Sequence, residues 1–247
     1  MKKVVLPLVV WLGLWWALAV CVGQPLLLPT PWQTAARLGQ LAVTAEFWTA
    51  SLTTLGRVFL GGGSGIVIGV AAAALGARFD WCAAVLSPAV KVIRATPVAS
   101  FIILIWLWAS AAWVPVVIAA LMAVPIAWSS TLQGLGEADP QLVELAAVYR
   151  FSRWKTVRLV YLPAMKNAVA AGCRSALGFA WKAGVAAEAL CRPRRAMGTA
   201  IWNAKTYLET ADLFAWTAAV VLLSIAVEKL LWVVWRTAEG RGRRGAA

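Results

Sequence analysis

Charged residues divide the chain into long apolar runs. Val4 to Val22 carries no charge and follows Lys2 and Lys3. Twenty uncharged residues lie between Arg57 and Arg78, and 42 lie between Arg94 and Glu137. A helix crosses the hydrocarbon core of a bilayer with about 20 apolar residues. The first run therefore predicts one span and the second, with residues upstream, another. The third predicts two, divided by a turn at Trp113-Val114-Pro115. Pro163 to Ala189 predicts a fifth span that carries charges, and Leu213 to Trp235 a sixth. The pattern reads as an all-α integral membrane protein of about six transmembrane helices. No internal repeat or linker divides it. Residues 1–50 give an N-terminal span and an external connection, 51–235 the main transmembrane domain, and 236–247 a basic tail. A cleaved leader would resemble the first run, and Leu18-Ala19-Val20-Cys21 hints at a lipoprotein site. Val20 is bulky where such a site wants a small residue, so the expectation is an uncleaved span.

Composition supports a bilayer as solvent. Hydrophobic residues make up 62% of the 247, charged residues 13%, and mean hydropathy is +0.78. Soluble domains run at about 45–50% apolar and about 25% charged. The net charge of +13 points to cytoplasmic loops before it points to nucleic acid. With the N-terminus inside, 14 of the 23 basic residues fall in cytoplasmic segments and five outside. Both termini are then cytoplasmic, and Arg192-Pro193-Arg194-Arg195 is the discordant external cluster. The chain has no histidine, which excludes histidine bases, triads and metal ligands. The four cysteines are far apart, in neither a metal-ligand nor a disulfide pattern. No cofactor is expected.

Four stretches are candidates for a role. Gly61, Gly65 and Gly69, followed by Ala73, repeat every four residues. They stack on one helix face and let a neighbouring helix approach closely. The Gly61–Gly65 run lacks the lysine and flanking strand of a phosphate loop. Helix packing is the expected role, and no ATPase motif is present. Pro88 and Pro97 flank Lys91 and Arg94, so the third span is expected to enter through a broken or bent segment. Arg94 is read there either as a snorkelling side chain or as a gating or subunit contact. In the loop 137–163, Asp139 can cap a helix with Pro140 at its first position. Glu144 is expected in an early turn, where negative charge suits the dipole. Leu142, Leu145, Ala146 and Tyr149 follow a helical apolar stripe. Such a helix either lies in the headgroups or docks into a cytoplasmic partner. The fifth span holds Arg174, Lys182 and Glu188. Charges at such depth face a cavity or each other. Arg174 and Glu188 project within about 40° of each other, with Lys182 on another face. A polar pathway or an assembly contact are the alternatives.

At the 137–163 loop the chain resembles the permease subunits of type I ABC importers. The matching residues are Glu144, Ala146, Ser152, Arg153, Trp154, Leu162 and Pro163, followed by Ala164. Arg94-Ala95-Thr96-Pro97-Val98-Ala99 and Ile105-Trp106-Leu107 are similar to segments of the nitrate/sulfonate/taurine branch. So are Arg174-Ser175-Ala176-Leu177-Gly178-Phe179-Ala180-Trp181-Lys182, Ala186-Ala187-Glu188 and Asp212-Leu213-Phe214-Ala215. The likeness runs from about Ser51 to Trp235. The chain departs from the pattern at Arg150, where the family has glycine, and at Trp108-Ala109, where it has Phe-Gly. Arg192 to Gly198 replaces a glycine-rich segment. Glycine permits a turn that arginine resists.

The resemblance implies a permease that pairs with a second copy, as a homodimer in the lipid bilayer. It implies two cytoplasmic ATPase subunits that receive the loop helix, and an extracytoplasmic solute-binding protein. Under it Glu144, Ala146, Ala147, Arg150, Ser152 and Arg153 carry coupling, and Arg174, Lys182 and Glu188 line the pathway. The substrate would be a small nitrate-, sulfonate- or taurine-type solute or a vitamin precursor. The rival readings are a structural or sensory membrane component and a membrane-embedded enzyme. The enzyme reading lacks a nucleophile elbow or a paired-carboxylate motif.

Overall fold

A computed structural model describes the backbone of residues 2–244 and the side chains of residues 5–233. The basic tail at 236–247 lies wholly outside these side chains, and its last three residues lie outside the described backbone. The described residues are helical with no strand: α1 (Lys2–Val22), α2 (Pro31–Ala42), α3 (Ala45–Arg78), α4 (Asp80–Ala95), α5 (Val98–Trp106), α6 (Val114–Gly136), α7 (Pro140–Val148), α8 (Arg153–Thr156), α9 (Leu162–Cys191), α10 (Met197–Thr206) and α11 (Thr210–Arg244). A π-helical turn, Val157–Tyr161, joins α8 to α9.

Among the described residues, four stretches are long and apolar enough to cross a membrane: Val5–Val22, Ala45–Arg78, Val114–Gly136 and Thr210–Val233. The pair α4 and α5 reaches the same standard only together, bent by 103°. Pro88 sits inside α4, and the break falls at Pro97. Thr96, the residue before it, is extended (φ −83°, ψ 131°), because the proline ring crowds a helical conformation in its predecessor. The third of the six expected spans is thus a broken pair. The fifth corresponds to α9, whose 30 residues reach about 45 Å at 1.5 Å per residue. Lys166, Arg174, Lys182 and Glu188 keep its hydropathy below that of the other spans.

Residues divide into two compact units. The first holds residues 1–55 and 185–226, the second 56–184 and 227–247. In the first, Trp15 of α1 stacks on Phe214 of α11 at 5.7 Å, and its indole N–H donates to the Pro29 carbonyl at 3.1 Å. Helix α2 opens on a reciprocal cap. Thr30 accepts from the Gln33 N–H, and the Gln33 side chain accepts from the Thr30 N–H at 2.9 Å. Pro31 follows at the first helical position, where no N–H is needed.

In the second unit, α6 is the most enclosed of the candidate spans. The α4 and α5 helices both pack on it. Ala73, Val90 and Trp128 form a buried cluster from α3, α4 and α6. The glycine face of α3 runs along the same helix. A Cβ at Gly61 would meet the Val116 carbonyl and Ala119, one at Gly65 the Ala120 backbone, and one at Gly69 the Val124 carbonyl and Ala127. The side chains that would hold the helices apart are missing, so the two backbones meet directly.

Candidate functional site

The 137–163 segment belongs to the second unit and is built from local hydrogen bonds. The Asp139 side chain accepts from the Gln141 N–H at 2.9 Å, and Pro140 starts α7. Glu144 is the fifth of nine residues in α7, so no acid lies in its first turn. The expected dipole contribution at the N-terminus is therefore Asp139's alone, since the effect fades beyond the first turn. At the other end, the Phe151 N–H donates to the Ala146 carbonyl at 2.8 Å, and the Arg150 N–H to the Ala147 carbonyl at 3.0 Å. These two bonds close a Schellman motif around a left-handed residue. That residue is Arg150, with φ 51°. The chain makes the glycine-type turn with an arginine. The Ser152 side chain then accepts from the Lys155 N–H at 3.3 Å and caps α8. Lys155 Nζ lies 4.1 Å from the Phe151 ring centroid. The π turn that follows is a rare element found often at functional positions.

The apolar stripe of α7 does not pack inward. Leu142 is 47% exposed, Leu145 50% and Tyr149 68%. Of the six residues expected to carry coupling, Glu144, Ala147, Arg150, Ser152 and Arg153 are exposed, and Ala146 is buried. Ala146 therefore belongs to the inner side of α7, where only a small side chain stands between the helix and the chain beneath it.

Arg174, Lys182 and Glu188, three of the four charges of α9, divide between the two units. Arg174 and Lys182 are exposed, in the second unit. Glu188 is fully enclosed, in the first. Helical projection sets Arg174 beside Glu188, but exposure groups Arg174 with Lys182. What surrounds a helix of 30 residues changes along its length, and angle alone does not carry that information. The Glu188 carboxylate accepts from the Thr54 hydroxyl at 2.8 Å and from the Gly198 N–H at 3.3 Å. Thr54 in turn accepts from the Met197 N–H at 3.0 Å. Glu188 and Thr54 thus satisfy the first backbone donors of α10, which has no cap of its own at Ala196. A carboxylate at a helix N-terminus is favoured by the aligned peptide dipoles. Sequence reasoning missed this network, because Thr54 and Glu188 lie 134 residues apart and no local pattern pairs them.

Two cavities open in the first unit, and they share Glu46, Ala200, Asn203 and Trp216 as walls. One, of about 340 Å³, is bounded by Arg37 and Asp212. Arg37 and Asp212 are joined by two hydrogen bonds, one from Nη2 to Oδ2 at 2.9 Å. The bond to Asp212 raises the Arg37 pKa above its ordinary value, against a smaller opposing effect of burial. The other, of about 370 Å³, is bounded by Arg194, Arg195 and Thr199. A third hollow, of about 600 Å³, is apolar and lies between α1 and α11.

A family described as "Binding-protein-dependent transport system inner membrane component" matches residues 65–232. Among characterised proteins, the chain is 26% identical over 224 residues to the riboflavin transport system permease protein RibX of Chloroflexus aurantiacus (strain ATCC 29366 / DSM 635 / J-10-fl), covering 90% of this chain and 83% of that protein. It is 26% identical over 235 residues to the putative aliphatic sulfonates transport permease protein SsuC of Escherichia coli (strain K12), covering 90% of this chain and 88% of that protein.

Proposed function

The chain belongs to the binding-protein-dependent transport system inner membrane components, and on that premise we propose that it forms the solute pathway of an ATP-driven importer and couples to a cytoplasmic ATPase through α7. It is an inner-membrane permease subunit of an ABC importer of the sulfonate branch. Its partners in such a system are an ABC ATPase and a solute-binding protein. In our reading the ATPases form a dimer, a second copy of this chain completes the pathway within the lipid, and both termini face the cytoplasm.

The observation that supports coupling is the exposed face of α7. Leu142, Leu145 and Tyr149 stand uncovered on a helix fixed at both ends, by Asp139 and by the Arg150 turn. A stiff helix with apolar anchors about one turn apart suits a groove on another protein. Glu144, Ala147, Arg150, Ser152 and Arg153 supply the polar rim in this reading, and Ala146 supports the helix from within. When ATP closes the ATPase pair, a helix held in this way passes the movement back to α6 and, through α8 and the π turn, on to α9. Alternating access then follows from a two-state assembly. Arg174 and Lys182 are pathway candidates because their charges are exposed on a spanning helix. Glu188 enters the reading as the support of α10. The names of the two relatives give the solute classes to test, an alkyl sulfonate and a flavin.

The test is solute uptake by vesicles holding the complete complex with ATP inside. Leu145→Glu and Glu144→Lys alter exposed positions, so the protein should insert and purify normally. Each is expected to lower uptake and ATPase stimulation at least about ten-fold, the effect of roughly 1.4 kcal/mol lost at a docked anchor. Wild-type uptake and ATPase rates in both variants would refute coupling through α7.

A further inference from the structure

The segment that leads into α9 carries an exposed face that the apolar anchors of α7 do not include. The left-handed turn at Arg150 ends α7, and α8 and the π turn follow as a separate element. On this element Val160 is buried and Thr156 and Tyr161 are half-buried, so one side packs on the protein. The other side, with Leu162 at the start of α9, presents Trp154, Leu159 and Leu162, which are 71%, 52% and 51% exposed. Lys155 and Arg158 stand exposed between them.

The charge of this face is not cancelled from within. The three acids of the 137–163 loop, Glu137, Asp139 and Glu144, all precede the Arg150 turn, and no Asp or Glu follows until Glu188. Arg150, Arg153, Lys155 and Arg158 fall in that acid-free stretch. Neither Lys155 nor Arg158 is ion-paired among the described residues. Lys155 rests over the Phe151 ring, which leaves its charge in place. The level of the face follows from α9. Its 30 residues reach about 45 Å, and a bilayer with both headgroup layers is about 40–45 Å thick. Leu162 then lies at headgroup depth, and α8 and the π turn emerge beside the phosphates.

We propose that this face docks on the membrane surface and binds anionic phospholipid. Lys155 and Arg158 meet the phosphate groups, and Trp154, Leu159 and Leu162 enter among the upper ends of the acyl chains. Tryptophan favours this depth because its ring is apolar and its N–H polar, and long cationic side chains extend from an apolar stem to the headgroups. Exposed Trp and Leu beside cations on a short helical element suit that boundary. Charge selects the lipid class, since each cation gains from an anionic surface what a zwitterionic one does not return. Leu162 belongs to the spanning helix itself, so the face continues into the hydrocarbon. The proposal goes beyond the importer reading and depends on neither the solute nor coupling through α7.

Native mass spectrometry of the detergent-solubilised protein, titrated with dioleoylphosphatidylglycerol or dioleoylphosphatidylcholine, tests it by counting bound lipid. The first phosphatidylglycerol is expected to bind more tightly than the first phosphatidylcholine. Lys155→Gln/Arg158→Gln should weaken phosphatidylglycerol about 30-fold, the weight of two cations near an anionic surface, and leave phosphatidylcholine unchanged. The charge-matched pair Arg192→Gln/Lys205→Gln, beyond the other end of α9, should change neither. Trp154→Ala should weaken both lipids alike. If the double variant fails to fold, the wild type decides alone, because a ten-fold rise in ionic strength should weaken phosphatidylglycerol and spare phosphatidylcholine. Equal affinity of the wild type for the two lipids would overturn the proposal. So would unchanged phosphatidylglycerol binding in the Lys155/Arg158 variant, an equal loss in the control pair, or a Trp154→Ala protein that binds as wild type. Displacement of the lipid by glycerol 1-phosphate would make the face a site for a free phosphate ester, and displacement by the partner ATPase would make it part of that interface. Either result would also overturn it.

Discussion

Two glycines of α3, two residues apart, should respond to alanine with opposite signs. A Cβ at Gly65 would lie 2.8 Å from the Ala120 Cα and 2.9 Å from its carbonyl carbon, and closer still to its carbonyl oxygen. Ordinary carbon contacts sit at about 3.5–4.0 Å. The shortfall falls on helix backbone, which cannot rotate away as a side chain can. Overpacking of this kind costs about 1–3 kcal/mol. Alanine also removes the entropic penalty of a helical glycine, a gain of about 0.5–1 kcal/mol. The net expectation for Gly65→Ala is a loss of about 1–2 kcal/mol. A Cβ at Gly63 would meet nothing within 4 Å, so Gly63→Ala keeps only the gain. For chains of this size 1 kcal/mol moves Tm by about 2–4 °C. Cys82 and Cys191 are free and buried, so a thiol-reactive fluorophore reports unfolding of the detergent-solubilised protein. Gly65→Ala should lower Tm by about 2–8 °C and Gly63→Ala raise it by about 1–4 °C. A Gly65→Ala protein as stable as wild type, or shifts of the same sign in both variants, would refute close backbone contact as the reason for glycine at this spacing.

Two further outcomes follow from the polar network and the loop. Glu188→Ala strands the Thr54 hydroxyl and the Gly198 N–H in a buried site, at about 1–3 kcal/mol each, and should lower Tm in the same assay more than Glu188→Gln, which retains an acceptor. Equal effects of the two changes would show that the charge, and not the hydrogen bonds to α10, is what matters. Arg150→Gly releases a side chain from the left-handed region at a gain of about 1 kcal/mol and should raise Tm, while a lower Tm would show that the guanidinium makes a contact worth more than the strain.

The parts of the fold legible in the sequence are those governed by short-range rules. Runs free of charge mark α1, α3, α6 and α11, because water and hydrocarbon separate charged from apolar residues over the length of one helix. Asp139-Pro140 marks the start of α7, since a cap needs only its own neighbours. Thr30, Pro31 and Gln33 carry an equally local signal for α2, which lay in the sequence but within a stretch read only as a connection. The break between α4 and α5 was legible as a bend near two prolines; it falls at Pro97, while Pro88 stays inside α4. The Glu188–Thr54 contact was not legible at all. An intramembrane glutamate announces a constraint but not its partner, and a threonine on a helix announces nothing.

Arg150 and Arg195 show where local rules reverse. Both occupy positions with φ near +50°, where a family glycine, or a glycine-rich segment, would be free of strain. Sequence reasoning alone ranks arginine there as a poor substitute, so it leaves the turn geometry open. The turns are nevertheless made. At Arg150 two backbone hydrogen bonds from the Schellman motif fix the conformation. At Arg195 the fixing comes from Thr199 and from the donors held by Thr54 and Glu188. In each case the surrounding bonds determine the backbone, and the residue at the turn is left with its side chain pointing into solvent or into a cavity. A glycine would adopt the same backbone at lower energy and offer nothing there. Arginine at position 150 is accounted for, in our reading, by what the exposed guanidinium can meet. At α7 that would be an ATPase surface. The Arg150→Gly protein separates the two effects, because it should gain stability while losing only the contact its arginine makes.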